Sequence, residues 1–452
     1  MAIPQEHSWR YIFHFTDIRN LDSIIKSGLL CTNEKEARGI RHRNIANMNI
    51  QHRRAKMEVT CGKGGVVHDY VPFYFTSKNP MFLSVLNKKN TDQPFIIYFC
   101  MKIDRLDKED AVYTDSSANT EVPPTFYCDT VNLNKLDWSL IDSMKWGAFS
   151  DEERHKKMAE ALIYKNVKIE EIDAILVYNN WVADGVRKIF ANNGVNPPKI
   201  LLDGALAGGK YHFYYTKYFL QNREHETLVN GPYFLKKDFN QLVSQIQKDR
   251  QDNNFSYRYK DMSSLITAIN NNIRVLPELD GIFQMKTSKF HLVDTVDVHI
   301  KKVVENIQNT DFYRQSGEEI QNILKLVSYL HDMGKGPISK WNGNIQYNYV
   351  DHAYDAMPSL HRILTQEIQE ISDDSIRRVC MAVVYHNIAG DCILRDRDKK
   401  EMAEVIQDEI DIDILIAITL ADVQSLNSTW YMQMKFCSSS LKNEVKNLKG
   451  IK

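Results

Sequence analysis

The rhythm of hydrophobic and polar positions changes twice along this chain. In the first 215 residues, short apolar blocks are punctuated by glycine, proline and charge. Tyr11-Ile12-Phe13-His14-Phe15-Thr16 alternates and reads as a strand with His14 and Thr16 on one face. Leu21 to Ser27 follows as an amphipathic helix that Gly28 stops. Tyr70 to Phe75 is a second β-like block, Phe95 to Met101 a fully apolar strand, and Ala159 to Tyr164 a strand carrying one carboxylate, Glu160. Ile172 to Tyr178 is another strand, leading into a helix around Val182 to Ala191. A basic segment (38–56) and an irregular polar one (114–134) lie between these blocks. Short strands mixed with short helices predict an α+β domain over residues 1–215. Residues 216–274 are rich in Asn, Gln, Lys and Asp and read as a polar connecting segment. From 275 to 452 the apolar period is helical almost throughout, which predicts an all-α domain.

Composition changes this picture little. A chain of 452 residues can hold two domains with separate cores, and 43% hydrophobic with 25% charged residues is ordinary globular composition. The net charge of -1 selects no partner. No apolar run approaches a membrane span, and Met1 to His7 lacks the basic start and apolar core of a signal peptide. Seven cysteines without a CxxC pair argue against a zinc finger or a disulfide framework, so a cytoplasmic location is expected.

The helical half places ionisable residues where its apolar runs end. His331-Asp332 closes a run containing Ile323, Leu324, Leu326, Val327 and Leu330, and Met333-Gly334-Lys335-Gly336 follows. His299 sits inside an apolar helical pattern, His386 ends Val379 to Tyr385, and Asp422 ends Ile414 to Ala421. A buried, unpaired carboxylate costs several kcal/mol, roughly, and a metal is one of the few partners that would hold it there. Imidazole and carboxylate are the ligand types a divalent metal takes. The order His299, His331-Asp332, His352, His386, Asp422 resembles the HD superfamily of metal-dependent phosphohydrolases. It is most similar to the HD domain of bacterial PII uridylyltransferase/uridylyl-removing enzymes, through Leu276-Pro277-Glu278, Phe290-His291, Thr295 to His299, Asp351-His352, Thr419 to Val423 and Trp430. The resemblance implies a divalent metal (Mg, Mn, Fe or Zn) on His299, His331, Asp332, His352, His386 and Asp422. It also implies Lys335 as a phosphate contact and a nucleotide or phosphodiester as the substrate class.

In the first half each candidate has an ordinary reading: Glu160 as a strand-edge carboxylate, the arginines as a solvated surface, His14 as a core histidine. The combination is more specific. His14-Phe15-Thr16, Ile50-Gln51-His52-Arg53-Arg54, Gly64 to Phe75, Pro80-Met81 and Lys156-Lys157-Met158-Ala159-Glu160 stand in the order of the DarT family, which they resemble. These are NAD-dependent ADP-ribosyltransferases that modify bases in single-stranded DNA and act as toxins in bacterial toxin–antitoxin systems. The resemblance implies Arg54 and Glu160 as catalytic residues, with His14, Phe15, Thr16, Arg54 and Tyr74 around NAD. It implies single-stranded DNA as the substrate, with thymidine the favoured base, and an antitoxin as a partner. Thr76-Ser77-Lys78-Asn79-Pro80 departs from the Arg-Ser-Pro-Met type of segment in many relatives, on the substrate side. Basic residues 38–56 and the aromatics Tyr113, Phe126 and Trp146 are expected along the DNA path. Gly62-Lys63-Gly64-Gly65 and Gly208-Gly209 lack the spacing of a Rossmann fingerprint, which disfavours hydride transfer. The fused helical domain is then expected to regulate or reverse the transferase. The competing reading is an inactive nucleic-acid-binding first half that delivers an HD hydrolase to its target.

Overall fold

The computed structural model describes residues 3–43, 48–119, 121–143, 150–215, 230–252, 255–288, 294–346 and 351–451. Trp146, Phe290 and His291, on which parts of the sequence reading rest, lie outside them. The chain divides into two compact units: Met1–Asn87 with Thr91–Tyr215, and Lys88–Asn90 with Thr216–Lys452.

The first unit is built on an eight-stranded sheet. Its strands are β1 Tyr11–Asp17, β2 Tyr70–Tyr74, β3 Ile96–Lys102, β4 Ala111–Thr114, β5 Phe126–Tyr127, β6 Glu160–Tyr164, β7 Ala174–Val177 and β8 Lys199–Leu202. Their spatial order is β8-β7-β3-β1-β2-β6-β4-β5. β8 pairs with β7 in parallel and the other neighbours pair antiparallel, so the sheet is mixed. The sequence of β3 is apolar from Ile96 to Met101, with only its last residue, Lys102, exposed, because both faces of that stretch are covered. Ile97, Phe99 and Met101 enter one core, and Ile96, Tyr98 and Cys100 enter the other. Helix α1 (Leu21–Ser27) packs Leu21, Ile24 and Ile25 into the first of these cores. It stops at Gly28, whose φ of 77° suits glycine and where a Cβ would stand 2.8 Å from the carbonyl oxygen of Val167. The polar stretch 114–134, expected to be irregular, contains β5 and a 3-10 turn at Thr130–Lys135. Short α2 (Thr32–Ala37), α3 (Met48–Arg54) and α4 (Asp151–Lys157) surround the end of the sheet where the candidate residues lie.

The second unit is helical around one hydrophobic core. Its main helices are α5 (Pro232–Asp252), α6 (Met262–Asn271), α7 (Val296–Gln308), α8 (Glu318–Leu330), α9 (His352–Asp355), α10 (Asp373–Val384), α11 (Glu409–Leu426) and α12 (Ser428–Lys449). The all-α expectation is modified by two short strand pairings, Tyr259–Asp261 with Ile368–Glu370 and Lys286–Thr287 with Ile345–Gln346. The reading of 216–274 as a connecting segment is corrected where the structure describes it, at Pro232–Asp252 and Met262–Asn271. α5 buries Leu235, Phe239, Leu242 and Ile246, and α6 buries Leu265, Ile266 and Ile269, all in the core of this unit. Their apolar residues recur at helical spacing, but dense Lys, Asn, Gln and Asp on the outer face dilute the signal.

Candidate functional site

In the first unit the decisive side chains meet at the start of β6. Glu160 is 1% exposed, so the strand-edge reading does not hold. The strand register sets it directly opposite Tyr74. Its Oε1 accepts from Arg54 Nη1 at 2.8 Å and from the backbone N–H of Ala118 at 3.0 Å. Its Oε2 is buried and has no hydrogen-bond partner among the described residues. Arg54 comes from the last turn of α3, where the negative end of the helix dipole suits a cation. Burial alone would lower the Arg54 pKa; the adjacent Glu160 carboxylate more than offsets this, and the guanidinium is held above its ordinary value. Lys157, fully buried three residues before Glu160, donates to the carbonyls of Leu140, Ile141 and Ser143 and so ties α4 to that segment. Beside the pair opens a cleft of about 280 Å³ lined by His14, Phe15, Thr16, Arg54, Tyr74 and Met81, among others. Burial lowers the His14 pKa to about 4, so the ring is neutral, and its Nδ1 lies 2.8 Å from the carbonyl of Pro72. Thr16 Oγ1 accepts from Asn20 Nδ2 at 3.0 Å, and the Tyr74 hydroxyl donates to Met81 Sδ at 2.9 Å. Phe15 stacks on Tyr74 with ring centroids 6.1 Å apart.

In the second unit the six predicted metal ligands converge, from α7, the end of α8, α9, the end of α10 and α11. His299, His331 and Asp422 offer donor atoms within 4.8 Å of one another, and so do Asp332, His352 and His386. Asp332 stands between the two groups. Its Oδ2 is 3.5 Å from Nε2 of both His299 and His331, and its Oδ1 is 3.3 Å from Nε2 of His352. The other ring nitrogens are held from behind: His331 Nδ1 by Ser328 O at 2.8 Å, His386 Nδ1 by Val383 O at 2.7 Å, and His299 Nδ1 by Ser425 Oγ at 2.8 Å. That leaves Nε2 of each facing the cluster, the arrangement metal-binding imidazoles use. His331 Nε2 is buried without a hydrogen-bond partner among the described residues. Nε2 of His352 and His386 lie 3.1 Å apart, and burial lowers the His386 pKa to about 3. Four imidazoles crowded around two carboxylates fit a divalent cation. Asn387 Nδ2 lies 2.8 Å from His386 Nε2 and must swing aside for that nitrogen to act as a ligand. Lys335 is ion-paired with Asp332 and buried.

Residues 13–211 match a family model described as ssDNA thymidine ADP-ribosyltransferase, DarT. A DNA ADP-ribosyl transferase of Thermus sp. (strain 2.9) is 34% identical over 184 residues, which cover 86% of that protein and 39% of this chain. The chain belongs to the DarT family. A second DarT-like relative, a DNA ADP-ribosyl transferase of Thermus aquaticus, is 29% identical over 185 residues, covering 80% of that protein and 40% of this chain. The solved Thermus sp. 2.9 DarT in complex with ADP-ribosylated ssDNA is 30% identical with a TM-score of 0.41, over 99% of that structure and 47% of this chain.

In the DarT unit, His14, Phe15, Thr16, Arg54 and Tyr74 line one cleft and Arg54 reaches Glu160. Two aromatics expected on the DNA path are not available for stacking, because Tyr113 is 1% and Phe126 7% exposed. Both fill core positions on strands, where a polar flank in the sequence disguised burial. Asn20 and Lys35, which also line the cleft, carried no signal in the sequence beyond polarity. Ala118 could not be found from its side chain, since its contribution is a backbone N–H. In the other unit the same holds for Ser425, which becomes recognisable only once His299 is seen beside it.

Proposed function

We propose that the DarT unit transfers ADP-ribose from NAD to a base, thymidine by preference, in single-stranded DNA. The observation that carries this reading is the buried Arg54–Glu160 pair beside a cleft lined by His14, Thr16 and Tyr74. The bond between nicotinamide and ribose C1′ breaks with its electron pair leaving on nicotinamide, and positive charge grows on the ribose. Glu160, with one oxygen fixed by Arg54 and Ala118 and the other unengaged, is suited to a ribose hydroxyl and to that charge. The new bond forms from C1′ to a ring nitrogen of the base, whose proton passes to water. Arg54, held as a guanidinium, stabilises negative charge on the base rather than taking the proton. Such a site takes an unpaired base, because a base inside a duplex cannot reach it. Intact-mass analysis of single-stranded oligonucleotides incubated with NAD tests the reading. Wild type adds one ADP-ribose and Glu160→Gln adds none; absence of any adduct on every DNA tried counts against it.

For the helical unit we propose a metal-dependent phosphohydrolase of the HD type. His299, His331, Asp332 and Asp422 would hold one divalent cation, and His352 and His386, sharing Asp332, a second. Four imidazoles favour Mn, Fe or Zn over Mg. A bound cation there supplies a water of lowered pKa and polarises a phosphoryl oxygen. Lys335, once released from Asp332, would be available to a phosphate. The fusion supports a regulatory role, either cutting the pyrophosphate of an ADP-ribose adduct or hydrolysing a nucleotide that gates the transferase. Elemental analysis of the purified chain and phosphodiester hydrolysis by wild type against Asp332→Asn test it: a protein without metal and without hydrolysis makes the unit a scaffold. The alternative of a delivery module in place of a transferase predicts that Glu160→Gln leaves every measured activity unchanged. An antitoxin remains a proposed partner, sought by co-purification.

A further inference from the structure

The cleft of the DarT unit contains an ammonium group that the proposed transfer has not used. Lys35 lines it from α2, half-buried, with Nζ 3.5 Å from His42 Nε2. The segment bearing His42 is clipped to the corner after β1. Asn20 Oδ1 accepts from the Arg43 N–H at 2.7 Å, and Asn20 Nδ2 donates to the Arg43 carbonyl and to Thr16 Oγ1, both at 3.0 Å. The lining includes three full cations, Lys35, Arg43 and Arg54, against one carboxylate, Glu36. Two of the cations are matched: Arg54 by Glu160 at 2.8 Å and Arg43 by Asp17 at 3.4 Å. Lys35 has no carboxylate within ion-pair distance among the described residues. Burial is the main cause that lowers the basicity of His14, His42 and His68, and the Lys35 charge lowers each of them further. An ammonium open to a concave cleft, ringed by neutral imidazoles and lacking a counter-carboxylate, favours an anion with several acceptor oxygens.

We propose that Lys35 and His42 hold the pyrophosphate of the dinucleotide, while Arg54 and Glu160 act at its nicotinamide–ribose end. The proposal rests on the NAD-dependent reading above. Arg54 is not the group assigned to the pyrophosphate, because its Nη1 is engaged by Glu160 and the Ala118 carbonyl. A phosphate of the DNA strand offers the same chemistry, so the experiment separates the two sources. Titration calorimetry of the full chain with NAD and with ADP-ribose is compared with fluorescence anisotropy of a labelled single-stranded oligonucleotide, for wild type, Lys35→Met, Lys35→Arg and His42→Gln. Lys35→Met weakens NAD and ADP-ribose by about tenfold or more, since charge-assisted hydrogen bonds are lost. His42→Gln weakens them less, Lys35→Arg restores most of the loss, and DNA affinity and the unliganded melting temperature stay unchanged. NAD affinity unaffected by Lys35→Met overturns the proposal. So does loss of DNA affinity with NAD binding intact, which assigns the cations to the strand. A wild type that binds no NAD overturns the functional reading itself, whatever the variants do.

Discussion

Arg54 and Glu160 pair at buried positions beside the cleft, so either is costly to remove alone. Glu160→Ala is expected to destabilise the DarT unit by about 3–5 kcal/mol, by leaving a buried guanidinium without its carboxylate. Adding Arg54→Ala should recover part of that loss, so in urea unfolding the double variant is more stable than the sum of the single losses predicts. Additive losses would mean that the pair is not coupled. Glu160→Gln keeps an acceptor for the Ala118 N–H and should cost less stability, while lowering transfer by at least about 10²-fold. His14 carries a pH signature. An unfolded histidine titrates near 6.5, whereas His14 stays neutral down to about 4, so the unfolded state binds the extra proton between these values. Stability is full above pH 6.5 and declines as the pH falls towards 4, and this decline is shallower in His14→Gln.

At the scale of elements, the turn after His331-Asp332 depends on a residue with no side chain. A Cβ on Gly334 would stand 1.9 Å from the His352 carbonyl oxygen and 2.7 Å from the Ala356 nitrogen, so α9 packs on bare backbone there. Gly334→Ala is expected to push α9, and His352 with it, away from the cluster, at a cost of at least about 2 kcal/mol in urea unfolding and with weaker uptake of any added divalent cation. The glycines of Met333-Gly334-Lys335-Gly336 were visible in the sequence, but that α9 abuts them was not, because proximity across the fold leaves no mark in local pattern. α5 gives the opposite lesson. Its buried Leu235, Phe239, Leu242 and Ile246 were in plain sight, yet overall polarity outweighed their spacing. Ile246→Ala, at a fully buried position, should destabilise the helical unit by about 2–5 kcal/mol; a connecting segment would tolerate it. The strands of the DarT unit were easier to read. β1 and β3 are apolar enough to stand out, and the five motifs fall on the elements that build the cleft.

At the scale of the molecule, the two units have separate hydrophobic cores. Calorimetry is expected to show two transitions, with NAD raising one and a chelator lowering the other. A chelator without effect on either would argue against a resident metal. Sequence alone pointed to two clusters of candidate residues, one in each unit, because each rests on residue types that its chemistry would demand. It did not reveal how Asp332 stands between two groups of ligands, since only the register of α8 against α7 and α11 creates that arrangement.

The first unit is closed by its own last residues. Tyr215 donates its N–H to Gln93 Oε1 at 2.6 Å and its hydroxyl to the Asn79 carbonyl at 2.7 Å, and the Tyr214 hydroxyl reaches the Ile96 carbonyl at 2.8 Å. Tyr211, Phe213, Tyr214 and Tyr215 together complete one of the cores. A chain still being synthesised therefore cannot finish this unit until residue 215 has left the ribosome. Prematurely terminated products that stop short of it, even with every cleft residue present, would be inert, which delays any transferase activity until synthesis has moved on into the helical unit.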